Sequence, residues 1–300
     1  MVRIGLMSSK VWASIRIYEV AKEMGVEVGW IKYTRLRAYC TLDKPHVRLW
    51  QPEIEPDVVI FRLPAIFQVK GVEKKYEDDV GLTLLAHLEA MGIPAINGHH
   101  QIHVSEHKHL SRLALASKGI PIPLTGYAQT PEAALDLLDN VIGYPAVIKP
   151  LMGTWGRGVV RVDSREEAER DLKGREVFPV VVEEYVEKVG NRDMRIFVVG
   201  EEAVAGMYRI AQPGDFITNV HRGGGVKGMK RVPDEVAEMA VKASRAVGLE
   251  MAGIDIMEHP EKGYMVIETN SVPGFEGLYR ATGIDVSRKI VEHAVRLAKK

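Results

Sequence analysis

The stretch Met251–Gly277, MAGIDIMEHPEKGYMVIETNSVPGFEG, decides the fold. In AGIDIM the apolar residues alternate around Asp255, and in YMVIETN they alternate around Glu268 and Asn270, the period of two that marks β-strands. His259, Pro260, Glu261, Lys262 and Gly263 between the runs are turn formers, so the two strands are expected to pair as an antiparallel hairpin. Glu268 and Asn270 stand two apart on one face, and Asp255 can lie across from them. Three oxygen donors then converge, a set that suits Mg²⁺ when it keeps water and also holds nucleotide phosphates. Taken singly, either acid belongs on a solvated face. The Pro-Gly loop directly after Asn270 instead makes this a strand that ends at a site.

Outward from this hairpin, the chain has 300 residues, 46% of them hydrophobic, enough for two or three lobes. Forty basic residues balance forty acidic ones, so nothing in the overall charge argues for a nucleic-acid or membrane partner, and any basic site is local. A single cysteine, Cys40, forms no internal disulfide and fits a reducing cytoplasm. The start MVRIGLM turns polar too soon for a signal peptide, and no apolar run approaches membrane-spanning length, so a soluble cytoplasmic protein is expected. No repeat or low-complexity segment is present.

From the N-terminus, Val2–Met7 reads as a strand, Val11–Met24 as a helix closed by Gly25, and Val26–Ile31 as a second strand, the opening of a parallel α/β unit. Asp57–Arg62 reads as a buried strand with Arg62 at its carboxyl end, where ligands of open α/β sheets collect. A helix over Tyr76–Met91 and a short strand Pro94–Asn97 close a first lobe near Gly98. His99, His100, His103, His107 and His109 lead into an expected helix Glu106–Lys118. His103 and His107 have the spacing of metal ligands, but imidazoles on a solvated face are the reading preferred. Thr130-Pro-Glu-Ala caps a helix to about Asn140, and Ser164-Arg-Glu-Glu caps another to Leu172.

Lys149, in the apolar strand Tyr144–Pro150, needs an anion to keep its charge when buried. The loop LMGTWGRG after it, with Gly153, Thr154, Trp155 and Gly156, makes a hairpin flap whose backbone N–H groups can hold phosphate oxygens. Val180–Val186 is a strand whose end can offer backbone groups to adenine, with Glu183 or Glu184 near ribose. Asn191–Gly200 and Ala203–Arg209 form a further hairpin with Asp193 and Arg195 on one face. Arg209, Asn219 and Arg222 stand beside the glycine loop that ends at Gly225, where arginine grips carboxylate or phosphate bidentately. Pro233–Val247 is amphipathic helix. In the tail, Ile284–Lys300, the residues Val286, Ile290, Ala294 and Leu297 form one apolar stripe and read as core.

In order and spacing, VIKP, MGTWGRGVVRV, VEEYVE, NRDMRIFVVG, FITNVHRGGG, AGIDIM and ETNSVPGFEGLYRATGID resemble the RimK-like carboxylate–amine (α-L-glutamate) ligases of the ATP-grasp superfamily, most densely from Lys108 to Ile290. The resemblance implies an α/β (α+β) ATP-grasp fold. It divides the chain into an N-terminal parallel α/β domain (1–98), a central lid subdomain with the flap (99–190) and a C-terminal subdomain with the metal and acceptor site (191–300). It implies ATP and Mg²⁺, with Mn²⁺ as a substitute. Lys108 and Lys149 then contact nucleotide phosphates, beside the flap residues Gly153–Gly156. Glu184, Tyr185 and Val186 line the adenine and ribose pocket, Asp193 holds the ribose, Asp255, Glu268 and Asn270 hold the metal, and Arg209, Asn219 and Arg222 orient the γ-phosphate and the acyl group.

The family's reaction passes through an acyl phosphate, formed when a substrate carboxylate attacks the γ-phosphate of ATP and opened by an amine to give an amide, ADP and phosphate. Carboxylate and triphosphate repel one another, so cations must align and neutralise them. The expected partners are ATP, an amino acid, glutamate first, and a carboxylate-bearing acceptor that is a cofactor, peptide or carrier protein. Oligomers are common in the family. His107-Lys108 departs from the Asp-Lys of many members, and Thr154-Trp155 is similar to the flap of the aminoadipate ligases that act on a carrier protein. That related activity, with a small acidic protein partner, is one alternative; a noncatalytic ATP-binding protein is another.

Overall fold

The computed structural model describes residues 1–32, 35–49, 54–62, 77–153, 156–212, 218 and 224–300. In chain order the first region holds β1 (Arg3–Ser8), α1 (Trp12–Glu23), β2 (Glu27–Trp30), β3 (Leu36–Cys40), β4 (Pro45–Leu49), β5 (Val58–Arg62), α2 (Glu77–Ala90) and β6 (Ala95–Ile96). β1, β2, β5 and β6 form a parallel sheet in the order β2-β1-β5-β6. Its strands are apolar on both faces because both are covered. Ile4, Leu6, Val58 and Ile60 pack with Ile17 and Val20 of α1, while Met7, Val59 and Phe61 pack with Leu85 and Leu88 of α2. The separate hairpin β3–β4 carries no signal that the sequence made legible.

Two helices follow, α3 (His99–Glu106) and α4 (Lys108–Ala116). The expected single helix over Glu106–Lys118 is corrected: the chain breaks at His107, which leaves the helical region (φ −80°, ψ 100°) and caps α4 by accepting from the Leu110 N–H at 3.1 Å. An imidazole nitrogen serves here as the side-chain acceptor that Ser or Asp usually provides. His99, His100 and His103 are exposed, in keeping with solvated imidazoles, whereas His107 and His109 are half-buried beside Tyr127.

The second sheet contains β7 (Thr125–Ala128), β8 (Ala146–Pro150), β9 (Val160–Val162) and β10 (Val180–Glu184), antiparallel in the order β7-β10-β8-β9. One face packs Ala146, Ile148, Val180 and Val182 on α5 (Pro131–Leu137) and α6 (Arg165–Lys173). Thr130 and Ser164 cap these helices through their side chains, as the sequence required. The other face, with Val147, Lys149 and Glu183, borders a cleft.

The third sheet contains β11 (Arg192–Val199), β12 (Glu202–Ile210), β13 (Gly225–Gly228), β14 (Met251–His259) and β15 (Gly263–Asn270), in the order β13-β12-β11-β14-β15. The hairpin β14–β15 forms with Asp255 opposite Glu268 and Gly253 opposite Asn270. A bulge beside Asp255 leaves Ile267 unopposed, since Ile256 already pairs with Val266. On one face Met194, Ile196, Val198, Ile254 and Ile256 pack on α7 (Asp234–Ala246) together with Leu115 of α4. The opposite face changes character along its length. Phe197, Val199 and Met251 join the core of the first sheet, and further along the same strands come Arg195, Asp193 and Asp255.

α8 (Glu276–Thr282) and α9 (Ser287–Leu297) complete the chain. Val286, Ile290 and Ala294 are fully buried and Leu297 packs beside them, so the tail stripe is core; it lies in the same cluster as Ile17 and Val20 of α1. Asn97, also fully buried, fastens the first sheet to the third: its amide donates to Met251 O (2.7 Å) and Ser271 O (2.6 Å) and accepts from the N–H groups of Glu250 and Met251. No helix among the described residues is long and apolar enough to cross a membrane.

Candidate active site

A cleft of about 170 Å³ lies between the bare face of the second sheet and the polar half of the third. Asp255 sits on its floor, 1% exposed, and Arg195 grips it in a fork, Nε to Oδ1 and Nη2 to Oδ2, both at 2.7 Å. Arg209 Nη2 reaches the same Oδ2 at 2.8 Å, while its Nε donates to Asp193 Oδ1 at 2.7 Å. Asp193 also accepts from Thr218 and has Lys188 at 3.7 Å. Burial disfavours the charge on Asp255, but the two guanidinium groups outweigh it and hold the carboxyl below the ordinary range. Burial likewise opposes charge on Arg209, yet Asp255 and Asp193 keep its pKa raised.

Glu268 lines the cleft opposite Asp255 and makes no ion pair or hydrogen bond with the described residues. Asn270 lies one pair further along and spends its amide N–H on Gly253 O (3.0 Å), which leaves Oδ1 as its donor atom toward a cation. Asp255 has one lone pair on Oδ1 beyond those its arginines take, and both oxygens of Glu268 remain. Hard oxygen atoms on one face of a hairpin fit Mg²⁺, which keeps waters and few protein ligands. Among the described residues no three of His, Cys, Asp or Glu stand close enough to hold a metal, so the set on offer is two carboxylates and an amide.

Lys149, placed by β8 at the foot of the flap, finds its anion in Glu183, whose carboxylate it contacts directly. Glu183 is 2% exposed and also takes Arg112 Nε at 3.0 Å; Arg112 in turn donates to Ile267 O at the bulge. Burial opposes the Glu183 charge, and Arg112 with Lys149 overcomes it, so the carboxyl titrates below its usual range. One ionic cluster thus joins α4, the second sheet and β15.

Lys108 donates from Nζ to Gly153 O (2.9 Å), and its N–H reaches Leu151 O (3.3 Å), so the start of α4 is stitched to the flap. Burial pulls the Lys108 pKa down, with Glu268 acting against it and Lys149 adding to it. Gly153, Gly156 and Gly158 have φ of 143°, 68° and 69°, backbone that side-chain-bearing residues avoid. At the other end of the cleft, Glu184 accepts from Leu124 N–H (3.1 Å) and pairs with Lys262 (3.2 Å), and Arg161 stacks 4.0 Å over the Tyr185 ring. Val186, Met257 and Ile267 make an apolar slot there.

The fold therefore places Lys108, Lys149, Gly153, Gly156, Glu184, Tyr185, Val186, Asp193, Arg209, Asp255 and Glu268 around one cleft, whereas Asn270, opposite Gly253 on the same hairpin, is not among the residues that line it. Thr154, Trp155, Asn219 and Arg222 lie outside the described residues. Arg112, Lys188, Arg195 and Thr218 were not given a site role from the sequence, and Glu183, expected near ribose as the alternative to Glu184, is instead bound to Lys149 and Arg112. Arg112 had a signal, since it stands four positions after Lys108 on the same helix face, and Arg195 had one in its shared face with Asp193. Lys188 and Thr218 had none.

This arrangement is that of an ATP-grasp ligase. The macrocyclase MdnC bound with precursor peptide MdnA from Microcystis aeruginosa superposes with a TM-score of 0.73 over 99% of this chain and 100% of that one, at 18% identity. The ATP-grasp ligase PsnB complexed with minimal precursor, Mg and ADP does so with 0.72 over 99% and 98%, at 17% identity. At such identities the likeness concerns the fold. Residues 105–294 match the RimK-like ATP-grasp domain, and over 95% of its length the chain is 37% identical to 91% of a probable alpha-L-glutamate ligase of Legionella pneumophila (strain Paris). The chain belongs to the RimK-like ATP-grasp family.

Proposed function

We propose that the chain joins an amino acid, L-glutamate first, to a carboxylate-bearing acceptor in an ATP-dependent reaction that forms an amide through an acyl phosphate. The observation that carries this reading is the meeting of Lys108, Lys149 and Arg209 with the oxygen donors Asp255 and Glu268 in one cleft, in a chain whose 37% identical relative is named for glutamate ligation. Val186, Met257 and Ile267 suit an adenine ring, and the strand end at Glu184 and Tyr185 offers backbone and carboxylate to adenine and ribose. Asp193, bound to Arg209 through Oδ1 and to Thr218 through Oδ2, keeps a lone pair on each oxygen with which it would accept from a ribose hydroxyl.

Lys149 and Lys108 take up phosphate charge by exchanging Glu183 and Gly153 O for phosphate oxygens. Asp255, Glu268 and Asn270 would hold Mg²⁺, or Mn²⁺ in its place, which when bound neutralises phosphate charge. Arg209, with Asn219 and Arg222, orients the γ-phosphate and acyl group. The pieces 1–98, 99–190 and 191–300 form part of the same proposal, with the second sheet as the lid that closes on nucleotide.

The test is incubation of the purified protein with ATP, Mg²⁺ and a panel of amino acids and carboxylate acceptors, following phosphate release and product mass. Release that requires both an amino acid and an acceptor is expected. ATP binding without release for any pair would replace this reading with that of a noncatalytic nucleotide-binding protein.

A further inference from the structure

The carboxyl ends of β1 and β5 carry groups that the reaction above leaves unused. In the order β2-β1-β5-β6 the chain leaves β1 toward one edge and β5 toward the other, so the crevice between these two strands is the switch point at which open parallel sheets take ligands. Ser8 and Arg62 stand side by side there in register, and Ser8 Oγ donates to Arg62 O at 2.8 Å. Arg62 Nε and Ser9 Oγ are both buried and find no hydrogen-bond partner among the described residues. Arg62 is 4% exposed; its Nη2 donates to Pro273 O (2.9 Å), and among the described residues its Nη1 meets only Met251 Sδ at 3.8 Å. Burial draws its pKa down to about 10, and no acidic side chain draws it back. A buried cation without an anion is costly, and orphaned buried donors in a folded protein call for a partner.

α1 starts at the same place. Val11 gives it no side-chain cap and its first turn holds no acid, so the helix leaves its first N–H groups and positive end for an anion. Trp12 meets Phe275 edge-on at 5.5 Å, and the Arg62 guanidinium lies 5.5 Å over that same ring. The helix start and Arg62 thus meet at Phe275, and Ser9 lies just before the helix, its carbonyl accepting from Val11 N–H at 2.9 Å.

We infer that these groups form a carboxylate subsite for the amino acid that supplies the amine, an assignment that rests on the ligase reading. Arg62 is bonded to Pro273, which packs against Gly253, two residues before Asp255 in β14. Met257 of the apolar slot lies two residues beyond Asp255 on the same strand, on the side away from Gly253. In the amide-forming step the amine nitrogen gives its lone pair to the acyl carbon, the carbon–oxygen bond to phosphate breaks, phosphate leaves with that electron pair, and the nitrogen loses a proton to solvent. The amine adds to a face of the acyl carbonyl before phosphate leaves, and a carboxylate anchored on the first sheet would present it beside Asp255 without entering the nucleotide slot.

The experiment is calorimetric binding of L-glutamate and its two monoamides, isoglutamine and glutamine, to the full chain with ADP and Mg²⁺ present. Wild type, Arg62→Gln and Ser9→Ala are compared. Wild type is expected to bind glutamate at least about tenfold more tightly than one of the amides, the scale of a charge-assisted hydrogen bond. Arg62→Gln should bind glutamate and that amide alike, with ADP affinity unchanged. Should Arg62→Gln not fold, Ser9→Ala decides, with at least a threefold loss for glutamate alone expected. No preference in wild type, the full preference retained in a folded Arg62→Gln, or Ser9→Ala binding glutamate like wild type would overturn the subsite. Because the readout is binding, glutamate held through Arg62 without turnover sinks the ligase reading alone, whereas turnover with an intact preference in Arg62→Gln sinks the subsite alone.

Discussion

Glu183→Gln removes one charge from a buried cluster of three and keeps the side chain's shape. Glu183 and Arg112 are 2% and 3% exposed and lie 3.0 Å apart, while the Lys149 side chain retains 18% exposure. Removing one partner of a buried pair costs about 3–5 kcal/mol, because the other is left buried and charged. Lys149 can turn into the cleft and Arg112 keeps its bond to Ile267 O, so the lower end, about 3 kcal/mol, is expected at pH 7. The companion is Arg112→Met with Glu183→Leu. Removing both charges leaves no buried guanidinium without its carboxylate, and the part-exposed Lys149 can turn into the cleft, so the double variant should be less destabilised than the single one.

The pH dependence has a definite sign. Glu183 titrates below its ordinary value in the folded chain, so its contribution is complete above about 4.3, the unfolded value, and is lost as pH falls through the lower folded value. Urea unfolding followed by circular dichroism should therefore show wild type and Glu183→Gln far apart at pH 7 and converging under acid. A gap at pH 7 below about 1 kcal/mol, the size of an exposed pair, or a double variant as unstable as the single one, would refute the reasoning.

The metal assignment separates by variant. Glu268→Gln touches a carboxylate with no hydrogen bond or ion pair to the described residues, so turnover should fall by about 10²-fold or more while the urea midpoint stays close to the wild-type value. Asp255→Asn leaves Arg195 without its carboxylate and Arg209 with Asp193 alone, so it should lose turnover and also about 3–5 kcal/mol of stability, measured in the same titration. Lys108, its pKa lowered by burial, should lose its proton at a pH below that of a solvated lysine, near about 10.4. KM for ATP is then expected to rise with pH from below that value, and Lys108→Arg, which stays charged, should flatten the profile measured by phosphate release.

Much of the fold was legible because short-range chemistry fixes it. The alternation around Asp255 and Glu268, the caps at Thr130 and Ser164, and the stripe Val286, Ile290, Ala294 each depend on residues within a few positions, and each formed as expected. His107 was harder: an imidazole that caps a helix has no local mark distinguishing it from its exposed neighbours. β13 was hidden too, since Gly225–Gly228 has little strand propensity and is held by its pairing with β12.

What the sequence determined by itself was the set of chemical groups and the element that carries each. Tertiary structure decided their partners. Lys149 faces Glu183 across 34 positions, Arg112 faces Glu183 across 71, and Arg62 meets Pro273 across 211. Such pairings depend on distances set when sheets dock face to face, and the strength of each charge depends on how much water that docking expels. The same face of the third sheet is apolar at Phe197 and Met251 and ionic at Asp193 and Asp255, because the first sheet covers one half and the cleft opens on the other.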